Sequence, residues 1–486
     1  MNDLKGKAVQ GVKWNTIKSI VEFTLSPLTL AVLARILSPT EYGHIAIITI
    51  LIGFSKQIAA MGFSQAIIQK DKVDNKDLHS VFWFEQILGI LAFIIIFLSA
   101  GFISDFFNEP EVLNLIKVVS FVFLLEPIDL VFRSLLKKDL RFDILTKSII
   151  VRLIFQKGTT ILFAVLGFGA LSYVLGTLIG ITVLTIIMFA YFLKNNFWLP
   201  GFYFSLTRVK PYLKFGVFIA GKSVFNNLFN YLDEIFIGSL LGTETLGIYH
   251  FAKNIIKYIR RMLNKPVSEV VFPLLSKLTS NLNQFNNTYS KIIKLIALIA
   301  VPAHIGVAIT SYLFIPVLFG EKWEAAIPIV SILAFWGMFK TLYSQIISSA
   351  LYSFGNSDWI FYATAIDLPV RALIFYIGSF FGLEVIAVLL SSIALFKLII
   401  YQYVLKLVSN IEVKDIFLKL KFIAFSSLIM GTSGILIGIL LGNIFNLLFT
   451  LIVVIISGIL IYWLIIYLLE KPFLQYSLGL IKQMRG

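Results

Sequence analysis

The chain has no cysteine, and its four histidines, His44, His79, His250 and His304, are scattered. A disulfide framework and thiol chemistry are thereby excluded, and no histidine spacing suggests a metal cluster. Charge is also scarce, with only 14% of the 486 residues being Asp, Glu, Lys or Arg. The one Gly-x4-Gly-Lys-Ser spacing, Gly216 to Ser223, lies in an apolar run and not in a Gly-rich loop, and there is no Gly-x-Ser-x-Gly, so neither a phosphate-cradling loop nor a serine-nucleophile motif is expected. These absences predict a protein that is not an enzyme, with no catalytic residue, no metal and no organic cofactor.

What is abundant is apolar. Hydrophobic residues make up 58% of the sequence and the mean hydropathy is +0.91, values that need lipid as the main solvent. The 46 Phe, 19 Tyr and 7 Trp supply bulk for helix packing and rings for the headgroup level. Residues 11–37 form the first apolar stretch, too long for a signal-peptide core and without a small-residue cleavage pattern, so they are expected to be a first span.

A membrane helix needs roughly 20 apolar residues. Turn-like breaks at 38–43, 107–110, 167–169, 242–244, 320–323, 382–384 and 442–443 alternate with breaks at 70–76, 137–141, 194–214, 277–294, 355–358 and 406–421. Together they predict an all-α polytopic fold of about fourteen transmembrane helices. The second set and the two terminal segments hold roughly twenty-two Lys and Arg, whereas the first set holds only Lys322, which puts both termini in the cytoplasm. The net charge of +15 is thus largely sorted by membrane side, and no nucleic-acid partner is expected.

An offset of 204 residues aligns polar and turn positions. Leu37-Ser38 and Tyr42-Gly43 meet Leu241-Gly242 and Leu246-Gly247, while Lys18 meets Lys222 and Lys56 meets Arg260. Both repeats begin on the same side, so they run parallel. The expected layout is an N-terminal six-helix lobe at 1–205, a second at 206–410, and two further helices with a tail at 411–486.

The chemistry resides in charges inside spans. Each mid-membrane charge costs at least ~2.5–3.5 kcal/mol, so surplus cations predict a wet cavity. Lys253, Lys257, Arg260, Arg261 and Lys265 recur at three- and four-residue steps in the eighth span, an anion-facing stripe. Lys222, Asn226, Asn230 and Asp233 mark the seventh span, and Asn15, Lys18, Glu22 and Ser26 the first. Lys18, Lys56, Lys222, Lys253, Lys257, Arg260 and Arg261 are accordingly the candidate substrate-binding residues. Glu22, Asp233 and Asp367 are the candidate carboxylates for coupling to H+ or Na+. Against this, Lys18–Glu22, Asp129–Arg133 and Asp367–Arg371 have the spacing of structural i,i+4 ion pairs, and Asp233 or Glu234 could pair with Lys253. Pro27, Pro127, Pro266, Pro302, Pro328 and Pro369 lie inside spans, where each permits a kink.

The segment Leu33-Ala34-Arg35-Ile36-Leu37-Ser38-Pro39-Thr40-Glu41-Tyr42-Gly43, with Gly62-Phe63-Ser64-Gln65-Ala66-Ile67-Ile68-Gln69, resembles the polysaccharide flippases of the MOP exporter superfamily. Leu135-Leu136-Lys137-Lys138-Asp139-Leu140-Arg141-Phe142 is similar to a loop of their colanic-acid and teichuronic-acid branch. The resemblance implies two six-helix lobes around a cationic cavity in a bacterial cytoplasmic membrane. It also implies alternating-access export of an undecaprenyl-pyrophosphate-linked oligosaccharide for surface polysaccharide, alongside membrane lipids, a polymerase and glycosyltransferases. The competing classes are an antiporter of the same superfamily, whose cavity should be acidic, and a membrane polymerase or glycosyltransferase, which should carry larger external loops.

Overall fold

The computed structural model describes the chain except Met1, Met61, residues 71–72, Glu269 and residues 484–486. The side chains of 2–10, 12, 56–60, 214–215, 217–220, 222, 224, 265–268, 476–478 and 480–483 also lie outside the description. Lys56, Lys222 and Lys265 fall in this group, so only their helical backbones are placed.

All regular structure among the described residues is helical. The elements are α1 (Asn2–Ile36), α2 (Pro39–Ala60), α3 (Phe63–Gln69), α4 (Asn75–Leu98), α5 (Ala100–Phe106), α6 (Val112–Val119), α7 (Val122–Leu125), α8 (Leu130–Lys138), α9 (Phe142–Val165) and α10 (Leu171–Lys194). They continue as α11 (Leu206–Leu241), α12 (Thr243–Ser268), α13 (Val271–Ser276), α14 (Leu282–Phe319), α15 (Ala326–Thr341), α16 (Ser348–Ser353), α17 (Ser357–Ser379), α18 (Leu383–Ser409), α19 (Val413–Gly442) and α20 (Leu447–Gln483). A π-helical turn, Leu342–Ile347, joins α15 to α16.

Ten of the described helical segments are long and apolar enough to cross a membrane. The remaining four of the fourteen expected spans have helices as well. They are α2, the broken run α6–α8, α11 and α12, which carry Lys56, Asp129 and Arg133, Lys222 and Asp233, and the cationic stripe. The pieces α6, α7 and α8 are each short, and α2 and α11 are shortened by residues outside the description, so only in α12 does the density of charge itself lower the hydropathy.

The chain forms two compact units, Met1–Gly247 and Ile248–Gly486. In the first, α9 packs on α10 and α1, and α11 on α2, α3 and α4. The start of α2 shows why the chain turns there. Ser38 and Glu41 form a capping box, in which the Ser38 N–H donates to Glu41 Oε2 (2.7 Å) and the Glu41 N–H to Ser38 Oγ (3.2 Å), with Pro39 at the first helical position. The start of α12 meets it reciprocally. A Cβ on Gly43 would lie 2.0 Å from the Thr243 carbonyl oxygen, and one on Gly247 1.8 Å from that of Pro39. Pro39 and Thr243, like Gly43 and Gly247, are 204 residues apart, so the two contacts exchange under the sequence repeat, as a local two-fold axis requires.

In the second unit α14 packs on α15, α19 and α20, and α15 on α18. Gly337 of α15 admits Ile256 of α12, whose Cγ2 would be 2.4 Å from an added Cβ. That close approach fixes how the next turn of α12 meets α15.

Candidate functional site

One turn beyond Ile256, Arg260 of α12 places its guanidinium 5.1 Å from the centre of the Trp336 ring. Lys340, one turn along α15 from Trp336, lies 4.6 Å from the same ring. A single indole thus faces two cations, an arrangement the ring quadrupole favours. Among the described residues neither cation has a carboxylate at ion-pair distance, and Arg260 Nε is buried without a hydrogen-bond partner.

The charges that act on Lys340 are Arg260, Arg371, Lys253 and Lys397, so four helices, α12, α15, α17 and α18, converge basic groups on one region. The acid there is Asp367, whose Oδ2 receives Arg371 Nε at 2.9 Å and Lys397 Nζ at 2.8 Å. One carboxylate is shared by two cations. Beside them the ring of Tyr343 in the π-helical turn lies 5.6 Å from Lys397 Nζ and 5.2 Å from that of Tyr401, which meets Trp359 edge-on at 4.8 Å. A cavity of ≈ 340 Å³ between α17 and α18 is lined by Asp367, Lys397, Trp359 and Tyr401 among others. A second cavity, of ≈ 350 Å³ and lined by Pro302, Gly306, Met430, Val454 and Tyr462 among others, carries no charged residue.

The stripe expected on α12 divides. Lys253 is buried at 3% exposure, Lys257 and Arg260 are half-buried, and Arg261 is exposed. Neighbours in sequence cannot share a helix face, so Arg260 and Arg261 point differently. Lys18 and Glu22 on α1 are half-buried, and among the described residues no ion pair joins them, contrary to the i,i+4 expectation. Asp233 is buried at 6% and its Oδ1 accepts from the Glu234 N–H at 3.0 Å. Asp367, expected as a coupling carboxylate, is already neutralised from two sides. The spacing gave no hint of Lys340, Arg371 and Lys397 as one cluster, although Lys340 sits four residues after Trp336, the helical separation at which side chains meet.

The first unit holds a second buried network. Asp129 and Arg133 pair at 2.7 Å as the i,i+4 spacing predicts. Glu126 lies 3.5 Å from Arg133 and 3.7 Å from Arg152, and Glu85 is buried at 1% within the field of Arg133. Where the α3–α4 connection meets the start of α11, Asp77 is held by Lys70 (2.6 Å) and Arg208 (2.8 Å), and Lys70 also donates to the Tyr212 hydroxyl (3.2 Å). The hydrogen bond to Asp77 raises the Lys70 pKa above its ordinary value.

These elements define a class, a polytopic all-helical membrane protein that clusters buried and half-buried basic groups among its long helices. Residues 32–328 match the model of the polysaccharide biosynthesis protein family, more than half of the chain, and the chain belongs to that family. It is 28% identical to the lipopolysaccharide biosynthesis protein WzxC of Escherichia coli K12 over 339 residues, covering 70% of this chain and 68% of that one. It is also 28% identical to the teichuronic acid biosynthesis protein TuaB of Bacillus subtilis over 362 residues, 74% of each. The fold is similar to that of the lipid II flippase MurJ, with a TM-score of 0.76 at 17% identity, covering 96% of this chain and 100% of that one. An inward-facing MATE transporter of the MOP superfamily aligns at a TM-score of 0.51 and 16% identity, over 80% and 96%.

Proposed function

We propose that the protein is a flippase that carries a polyprenyl-pyrophosphate-linked oligosaccharide from the cytoplasmic to the outer leaflet for surface polysaccharide assembly. The observation that carries this reading is the cation cluster of the second unit. Arg260 and Lys340 share Trp336 with no carboxylate at ion-pair distance among the described residues, beside Arg371 and Lys397 sharing Asp367. Cations at membrane depth are costly, and a pyrophosphate supplies the missing anion. Family membership and the MurJ-like fold support the same reading.

Arg260 offers the planar fork suited to a phosphate and Lys340 a point charge. Lys253 and Lys257 on α12 extend the basic lining, and Lys18 with its repeat counterpart Lys222, and Lys56 as the counterpart of Arg260, are proposed to bind substrate as well. The Tyr343, Tyr401 and Trp359 rings provide apolar faces and hydroxyls for sugars, while the prenyl chain stays in hydrocarbon. The protein moves its substrate by alternating access and makes no bond. With both termini in the cytoplasm and an inside-negative potential, moving two negative charges outward is favoured by about 4.6 kcal/mol per 100 mV, at ~2.3 per charge. Coupling to H+ or Na+ then serves to reset the empty carrier. An antiporter of organic cations would need the opposite charge in its cavity.

The test is surface polysaccharide in cells carrying Arg260→Ala or Lys56→Ala at normal protein levels. Surface polymer is expected to fall while lipid-linked repeat units accumulate on the cytoplasmic leaflet. Normal export by the combined variant overturns the reading.

A further inference from the structure

Away from the cation cluster, in the first unit, the fold brings one histidine to two glutamates from a distant loop. We propose that His44, Glu109 and Glu111 form a binding site for a divalent cation of the zinc class. The ligand atoms of the three residues all lie within 4.8 Å of one another. His44 is 97% buried, as its 3% exposure shows, and its Nε2 has no hydrogen-bond partner. That nitrogen lies 3.5 Å from Glu109 Oε1, too far for a hydrogen bond.

The same spacing suits a shared ion. Bonds of about 2.1 Å to tetrahedral corners set neighbouring ligand atoms roughly 3.4 Å apart. The His44–Glu109 edge is thus already in place, and Glu111, which is exposed, needs only to rotate its side chain. One imidazole nitrogen with two carboxylates is a borderline donor set that favours zinc over magnesium or calcium and leaves a fourth position for water.

The scaffold is built on both sides. The capping box at Ser38 and Glu41 fixes the first turn of α2, just before His44. Opposite, Asn108 adopts φ 50 and reverses the chain, and Ser104 holds the Glu109 backbone twice. Its Oγ donates to the Glu109 carbonyl at 2.9 Å, and its carbonyl accepts the Glu109 N–H at 3.0 Å. Phe107, 6% exposed, anchors the turn, and Pro110 stiffens the link between the two glutamates. A bound ion would tie α2 to the α5–α6 turn next to Gly43, where α2 abuts Thr243. Sequence spacing hides this site because His44 and Glu109 are 65 residues apart.

The experiment is titration calorimetry of the purified full chain, its affinity tag removed, with Zn2+ and separately with Mg2+. The wild type is expected to bind one equivalent of Zn2+ that Mg2+ does not displace. Glu111→Gln, an exposed change that leaves packing intact, is expected to weaken it by at least about tenfold through loss of one ligand. His44→Asn with Glu109→Gln is expected to abolish it. No Zn2+ binding by the wild type, or equal affinity in the wild type and Glu111→Gln, overturns the proposal. Transport by the Arg260 variants does not enter this measurement, so its failure is distinct from that of the flippase reading.

Discussion

Replacing Asp367 by Asn leaves its shape and removes the one anion that holds two cations. The Asp367 side chain is 3% exposed, Arg371 8% and Lys397 15%, so none of the three is well solvated. Removing one partner of a buried pair costs about 3–5 kcal/mol, because the remaining charge is left uncompensated. Lys397→Met behaves differently, since Asp367 keeps Arg371 at 2.9 Å, and exchanging the ammonium for an apolar chain of similar length should be near neutral. The double variant Asp367→Asn/Lys397→Met leaves one cation deprived of this carboxylate instead of two. It should regain about 0.5–3 kcal/mol of the loss, the usual coupling within one network. The assay is the thermal midpoint of monodisperse protein in detergent, measured for all four members of the cycle. If Asp367→Asn matches the wild type in stability, or the two changes simply add, the shared-carboxylate argument is wrong. Such a result, combined with loss of gradient dependence in transport, would instead favour Asp367 as a coupling carboxylate.

Gly43→Ala and Gly247→Ala each drive a Cβ onto a carbonyl oxygen within about two ångströms, and overpacking costs typically ~1–3 kcal/mol. Both should lower the thermal midpoint, whereas Gly101→Ala, with open space around it, should not. Asp77→Asn releases Lys70 and Arg208 together and should speed proteolysis near residue 70 without touching the cation cluster. Because the folded Lys70 pKa is raised, its contribution is fully present below the ordinary lysine value. It is lost as pH rises through the raised one, so the stability gap between wild type and Asp77→Asn should close only at strongly alkaline pH. Vesicle transport that persists after both proton and sodium gradients are collapsed would remove ion coupling from the proposed cycle.

The spans and their boundaries were legible because apolar runs and turn residues are local properties. Ser38, Pro39 and Glu41 sit where the chain turns, and the 204-residue offset reappears as the reciprocal contact of Gly43 with Thr243 and Gly247 with Pro39. Pairs four residues apart were legible too, as with Asp129–Arg133 and Asp367–Arg371, although Lys18 and Glu22 show that spacing permits a pair without enforcing it. What sequence could not show is which helices converge. Lys397 reaches Asp367 from another helix, and Arg260 joins Lys340 at the Trp336 ring where Gly337 lets α12 and α15 approach. The stripe on α12 located Arg260 but could not separate it from Arg261, since the face toward α15 is set by packing.

The most direct measurement reconstitutes the purified protein in liposomes with a polyprenyl-pyrophosphate-linked oligosaccharide and follows its transfer between leaflets with an impermeant sugar-modifying reagent. Wild-type protein should move the substrate, and Arg260→Gln/Lys340→Gln, folded with an unchanged thermal midpoint, should not. Equal transfer rates for the two proteins would contradict the assignment of the pyrophosphate to the cation cluster.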